Sequence, residues 1–397
     1  MPRIKRTLHV LLGSLLLVSH AEADEIGIGL ITEMSGLYAG QGSRVAAELA
    51  VDDFGGEVLG RDIELYLRDH QLDAELAVEH AEELIEEKGV TLLTDLVRSH
   101  VALAVQDYAS ERGVITMAAG AGATELTGEQ CTRLGFNWAF NVDALAQGVA
   151  GAITRSGGES WYFLTADYAF GHSLERAATE VIEANGGERL GHSTYSFDAT
   201  DLSVQVLDAQ ASGADVIGLA SGGKDTIKAI RQLHELGGSG VDQQLAAMLL
   251  FITDIKQMGL YITGGLQLVT TFYWDGNPEA RAFAERFRRR TGTVPSMIHA
   301  GVYSATLQYL KAVEAVGSTD AEQVAEQLHS MPVDDFFGLG SRVRPNGLHE
   351  HPVYLVQVKN ARDSEGPWDY FEVLERIPTD VAFPPIEDSA CHLVDSR

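Results

Sequence analysis

The chain reads as an α/β protein with two Rossmann-like lobes joined by a multi-crossing hinge. Three observations predict this. Short runs of apolar and β-branched residues alternate with longer helical patterns almost throughout, the rhythm of parallel sheets with right-handed crossovers. That rhythm is interrupted and restarts, so the units fall into separate series. The length of 397 residues also exceeds what one core usually organises.

In order, IGIGLIT (26–32) is a strand followed by GSRVAAELAVDDFG, whose Val45, Leu49 and Phe54 share one helical face. IELYLRD (63–69) leads into the helix AELAVEHAEELIEEKG, stopped by its terminal glycine. VTLLTD (90–95) precedes the helix SHVALAVQDYASERG, and GVITMAA (113–119) runs into the small-residue loop GAGATELTG. FNWAFNVDALAQG (136–148) breaks the pattern with a strand-like piece and a fresh helix start at Asp143. A second series comprises SWYFLTADY, RLGHSTYSF (189–197), ADVIGLAS (214–221) and QLAAMLLF (244–251), with helices between. A third has GGLQLVTTFYW (264–274), the basic helix PEARAFAERFRRRTG, a helix around SMIHAGVYSATLQYLKAVEAVG and another at DAEQVAEQL. The segment 351–377 reads as a β-hairpin joined through Gly366-Pro367.

Crossings between lobes are expected near Asn141, Trp274 and Arg342. They divide the chain into one lobe of 24–141 plus 275–342 and a second of 142–274 plus 343–380, with 381–397 returning to the first. Two open sheets facing each other across such crossings make a cleft lined by strand carboxyl ends, suited to trapping a small molecule and able to close on it.

Residues 1–23 read as a signal peptide. Arg3, Lys5 and Arg6 form a basic start, LHVLLGSLLLV (8–18) an apolar core, and Ala21-Glu22-Ala23 a cleavage site before Asp24. The alternative is a retained anchor, for which the apolar run is short. No cysteine follows the apolar core, which speaks against lipid attachment. The formal charge is −28 and becomes −30 once three basic residues and Glu22 leave with the leader. That sign argues against nucleic acid and anionic lipid as partners, since phosphates would be repelled. The acids are spread along helices such as EHAEELIEEK (79–88), as solvated faces or as an adaptation to salt. Cys131 and Cys391, an even pair in an exported chain, most simply form one disulfide; two free buried thiols are the alternative.

Catalytic signatures are missing. GGSGV (237–241) lacks the last glycine of a nucleophile elbow, GAGATE fails the dinucleotide pattern, and no HExxH occurs. His349-Glu350-His351, between Gly347 and Pro352, reads as a solvated turn rather than a metal site. No cofactor and no metal are implied.

The loops instead offer recognition chemistry. TEMSGLYAGQG (32–42) places Tyr38 and Gln41 among glycines before a helix. DLVRSHVAL (95–103) puts Arg98, Ser99 and His100 at a helix start, where free N–H groups and a guanidinium favour an anion. AAGAGAT (118–124), with Ala121 and Gly122, lets a ligand approach backbone. Tyr168 and Phe170 lie where a strand hands over to a helix, and Gly222 follows the run ADVIGLAS. Structural roles compete. Tyr38 can be a packing residue, Arg98 can pair with Asp95 or another acid, and GAGA can be a tight turn.

The ordered motifs IGLITEMSGLYAGQG…AAELAVDDFGG, VALAVQDYASERGVITMAAGAGATELTG, FLTADYAFGHSLE, FITDIKQMGL and GVYSATLQYLKAV resemble the solute-binding proteins of ABC importers, in particular the leucine/isoleucine/valine-type, or type I, periplasmic binding proteins. The resemblance spans 24 to about 394. It implies a periplasmic, non-enzymatic, monomeric receptor that closes on a small solute and presents it to an inner-membrane permease with ATPase subunits. Amino-acid-binding members use consecutive serines where this chain has Val97-Arg98-Ser99-His100, and a threonine where it has Gly120-Ala121-Gly122-Ala123. Phe170 stands where they have tyrosine, and Asp254 lies near their ammonium partner. The departures point to an organic or aromatic acid rather than an amino acid, with Arg98 on the anionic end, Ser99 and His100 donating hydrogen bonds, and Tyr38, Tyr168 and Phe170 covering the body. A ligand-sensing module and a cleft hydrolase are the alternatives. The predicted disulfide, Cys131–Cys391, ties the tail back to the first lobe.

Overall fold

β1 (Ile26–Thr32) is buried at every residue, as a strand with sheet on both sides and helices on both faces must be. In the computed structural model, which describes residues 25–36, 38–196, 199–237 and 243–394, it lies inside a six-stranded sheet. The predicted leader lies outside the described residues. The other strands of that sheet are β2 (Glu57–Val58), β3 (Arg61–Asp69), β4 (Val90–Asp95), β5 (Ile115–Ala118) and β6 (Gly135–Asn137), in the order β2-β3-β1-β4-β5-β6. All neighbours pair in parallel except β2 with β3.

The second sheet holds β7 (Ser160–Ala166), β8 (Glu188–Tyr195), β9 (Val216–Ala220), β10 (Gln244–Ala247) and β11 (Gln267–Thr270). A two-stranded ribbon follows, β12 (Arg342–Val343) with β13 (His349–Glu350). The predicted hairpin is formed by β14 (Val353–Val358) and β15 (Phe371–Ile377), which extend the second sheet antiparallel to β11. Its order is β15-β14-β11-β10-β9-β7-β8. The first and second α/β series of the sequence are therefore present as two sheets, and β11, the strand of the third series, joins the second of them.

Each sheet reverses its winding once. In the first, β3 lies on one side of β1 and β4 on the other; in the second, β8 and β9 flank β7 in the same way. At such a point the loops leaving neighbouring strand ends diverge and leave a crevice. The loops after β1, β4, β7 and β9 are the four that open here.

Helices at 278–291 and 297–316 come late in sequence yet pack on the first-sheet side. Arg286 and Tyr303 both reach Asp53, on the helix Gln41–Phe54, at 2.6 and 2.8 Å. The helix Met297–Val316 is buried over most of its 20 residues, with Ser296 and Gly317 at its two ends as caps. Cys131 and Cys391 are joined, anchoring the tail beside the loop after β5 as predicted.

Two local readings need correction. The run QLAAMLLF is a strand only to Ala247; Met248–Phe251 leave the ladder while staying buried, with Leu249 and Phe251 facing the crevice between the sheets and Leu250 packed in the core of the second. The His349-Glu350-His351 segment is not a solvated turn. His349 is fully buried, stacked on Trp138 at 4.3 Å, with its ring nitrogens on Ser341 Oγ and the Trp138 carbonyl. Burial pushes both histidines well down, His351 to about 4, so they remain neutral packing groups.

Candidate functional site

The segment after β4 begins with an unusual backbone. Asp95, Leu96 and Arg98 all have positive φ, at 71°, 48° and 79°. Non-glycine residues there cost of order 1–3 kcal/mol each and persist only when the surroundings enforce them. The enforcement is visible. Ala119 and Gly120 both donate N–H to the Asp95 carbonyl, and Arg98 N–H donates to Gly120 O at 3.1 Å. Gly120 has no freedom to be anything larger, since a Cβ there would lie 2.7 Å from Val97 Cα. This lock turns Arg98 away from its own helix and into the crevice.

There Arg98 meets Glu33, which directly follows β1. Arg98 Nε donates to Glu33 Oε2 at 2.9 Å, and the two side chains are 7% and 1% exposed. Tyr38 bridges them, its hydroxyl donating to Glu33 at 2.6 Å and accepting from Arg98 Nη2 at 3.2 Å. Ser35 Oγ also bonds Glu33. Burial alone would raise the Glu33 carboxyl, but Arg98, Ser35 and Tyr38 outweigh it and hold the pKa below the ordinary carboxylate value. Burial likewise disfavours the Arg98 cation, and Tyr38, Tyr168 and Glu33 keep it charged. Arg98 thus pairs with an acid, though not with Asp95. Asp95 is fully buried, and burial raises its pKa to about 6 against the opposing pull of Ser43 and Thr32.

The second sheet supplies the opposite wall. Tyr38 stacks on Phe251 with centroids 4.6 Å apart and planes 17° from parallel. Phe140 meets Phe170 edge to face at 6.3 Å. Tyr168 faces Arg98, and burial pushes its hydroxyl up to about 12. Farther out, Ser173 Oγ accepts from Thr124 N–H at 3.1 Å, and Arg176 binds Thr124 Oγ1 and Glu125 at 3.0 and 2.9 Å. The two sheets are therefore drawn together around the crevice. What remains is a cavity of about 30 Å³, room for a few water molecules at most. Among the described residues lining it Arg98 is the one that carries a charge; Ser99 adds a hydroxyl, and the remaining walls are aromatic, aliphatic or glycine.

Of the residues expected from sequence, Tyr38, Arg98, Ser99, Tyr168, Phe170 and Gly222 line this cavity together. Four do not. His100 lies behind Tyr168, their rings edge to face at 6.3 Å, with its Nε2 on Leu72 O at 3.3 Å. Ala121 and Gly122 are held behind the wall, the Ala121 carbonyl accepting from Asn137 Nδ2 and Gly122 N–H donating to Ser99 Oγ. Asp254 accepts the Phe251 N–H at 3.0 Å and caps its own helix, Ile252–Met258. Burial raises its pKa to about 7. Sequence reasoning missed Glu33, Phe140, Leu249, Phe251 and Ile298. Glu33 alone had a signal available, an acid at a strand carboxyl end facing the arginine of the neighbouring loop.

The group Cys131, Cys391 and His392 has metal-ligand spacing, but its two sulfurs are bonded to each other and offer no thiolate.

A cleft between two doubly wound sheets, walled by switch-point loops, defines a receptor for a small molecule. Residues 25–364 match the sequence family described as periplasmic binding protein, and the chain belongs to that family. A periplasmic binding protein from Burkholderia mallei superposes with a TM-score of 0.91 at 41% identity, covering 94% of this chain and 99% of that one. A branched-chain amino acid ABC transporter periplasmic ligand-binding protein from Burkholderia xenovorans gives 0.84 at 34% identity, covering 93% and 100%. An ABC transporter solute-binding protein from R. palustris, in complex with benzoate, shares the fold with a TM-score of 0.80 at 21% identity over 93% and 100%. The type I fold and the solute-binding role expected from the sequence thus stand, and these relatives are transport proteins rather than enzymes.

Proposed function

We propose that the chain is the periplasmic receptor of an ABC importer and captures a small organic acid with a flat apolar body, an aromatic acid best of all. The observation behind this is the buried cation Arg98, the one charged side chain among the described residues lining the cavity, set among aromatic walls at the paired switch points. Arg98 takes the anionic end, Ser99 and the backbone beside it complete the hydrogen bonding, and Phe170, Phe251 and Tyr168 cover the ring. The benzoate carried by one structural relative agrees with this chemistry; the branched-chain amino acid label of another is the competing class.

Binding proceeds by a shift between open and closed arrangements, since about 30 Å³ admits no ring while the sheets are drawn together. The lobes of 24–141 plus 275–342 and 142–274 plus 343–380 hinge near Asn141, Trp274 and Arg342. Residues 1–23 direct export and are removed on translocation, and a permease with ATPase subunits receives the loaded form.

The test is a thermal-shift panel of benzoate, 4-hydroxybenzoate, leucine and glucose, followed by calorimetry. A ligand that binds only the folded state raises the melting temperature by mass action. The aromatic acids are expected to raise it and leucine and glucose to leave it unchanged. A rise with leucine alone assigns the cleft to amino acids, and recovery of a chemically altered solute makes the protein an enzyme.

A further inference from the structure

We propose that Glu33 is a specificity-determining residue that sets how strongly the cleft prefers an anion over a neutral head group. This rests on the reading of the cleft as the solute site. An arginine that stood alone would reward a full negative charge. Here the guanidinium already carries one carboxylate, 2.9 Å away and equally buried, so the pair as a whole is neutral. A ligand carboxylate arriving at Arg98 comes close to a second, fixed carboxylate, and like charges brought together in a desolvated site repel.

Tyr38 shows what the pair accepts without that penalty. Its hydroxyl gives its proton to Glu33 and receives an N–H from Arg98, at 2.6 and 3.2 Å. Its ring lies flat on Phe251, and the cavity beside it is almost closed. A side chain of this protein thus occupies an aromatic slot with a donor-and-acceptor head group on the charge pair. A solute entering the slot displaces that hydroxyl and meets the same two partners. A carboxamide reproduces both bonds, whereas a carboxylate satisfies Arg98 and leaves Glu33 facing an acceptor. Glu33 therefore narrows the advantage that Arg98 alone would give to acids, and it does so through the charge it places beside the guanidinium.

The probes are benzoate and its neutral isostere benzamide, titrated by calorimetry into the wild-type protein, Glu33→Gln and Glu33→Asp. The ratio of the two affinities is the readout, because loss of packing moves both probes alike. Glu33→Gln is expected to raise the benzoate-to-benzamide ratio on the order of tenfold, and Glu33→Asp, which keeps the charge, to leave it within about twofold of wild type. Tyr38→Phe gives a second reading with the ion pair intact. It removes only the hydroxyl that either probe displaces, so both affinities are expected to rise together and the ratio to stay within about twofold of wild type. A ratio unmoved by Glu33→Gln, or one shifted severalfold by Tyr38→Phe, overturns the inference while leaving the solute site standing. If neither probe binds wild type or variants, the aromatic reading of the cleft fails and takes this inference with it.

Discussion

Arg98 and Glu33 form a buried ion pair between the ends of adjacent strands, 65 positions apart in sequence and 2.9 Å apart in space. The pair sits where the first sheet reverses its winding, so the topology itself brings the two residues together. Breaking one side leaves an uncompensated buried charge. Arg98→Ala is expected to lower stability by about 3–5 kcal/mol, measured by denaturant unfolding. The double variant R98M/E33Q, which removes both charges together, recovers most of that loss. Equal destabilisation by single and double variants would show that packing rather than charge matters at this position.

Asp254 makes stability depend on pH. Its folded pKa, raised by burial to about 7, exceeds the ordinary value of 3.8. An acid with a raised folded pKa favours the folded state most below its unfolded pKa, and that contribution is lost as pH rises towards 7. Asp95, raised to about 6 by its own burial, acts in the same direction. Asp254→Asn keeps an acceptor for the Phe251 N–H and is expected to flatten the decline between pH 4 and 7. The effect is bounded by about 1.4 kcal/mol per unit of pKa shift. Parallel stability curves for variant and wild type across that range would remove this role.

Gly120 is expected to tolerate no side chain. A Cβ would lie 2.6 Å from Val97 Cγ2 and 2.7 Å from its Cα, and backbone cannot retreat as a side chain can. Gly120→Ala should cost about 1–3 kcal/mol and weaken binding, because the turn that aims Arg98 is pinned by Arg98 N–H on Gly120 O. Thermal melting and a ligand titration on the same sample check both halves. Wild-type affinity in a destabilised variant would separate the turn from the site.

The Cys131–Cys391 disulfide closes a sequence separation of 260 residues. Removing so long a cross-link releases unfolded-state entropy worth about 2–5 kcal/mol. Reduction, or the double variant C131A/C391A, should lower the melting temperature while sparing ligand affinity, because neither cysteine lines the cavity. A selective loss of binding on reduction would mean that the tail reaches the cleft.

How much of this was legible in the sequence follows from where the information is local. Strand and helix periodicity is local, and it located both sheets and the closing hairpin. The loops after β1, β4, β7 and β9 were legible too, because a strand end followed by Tyr38, Arg98, Tyr168 or Gly222 is visible in one short stretch. Contacts between the lobes are not local. Leu249 and Phe251 read as more strand, since nothing in MLLF marks Ala247 as the ladder's end. His349 and His351 read as a turn because Gly347 and Pro352 frame them; their burial comes from Trp138, over 200 residues earlier, stacked on His349, and from Phe337 and Phe383 around His351. Glu33 went unnoticed because an acid after a strand is ordinary until its partner is seen.

The most direct measurement is a titration of the wild-type protein with benzoate by calorimetry, with small-angle scattering recorded on the same samples and the solute recovered afterwards. One solute per chain, no expansion of the particle on binding and chemically unchanged benzoate are the predicted results. Arg98→Ala should then lose at least about 2 kcal/mol of binding, the scale of a charged hydrogen bond. Undiminished affinity in that variant, or benzoate returned in altered form, would contradict a cleft that grips an intact acid through Arg98.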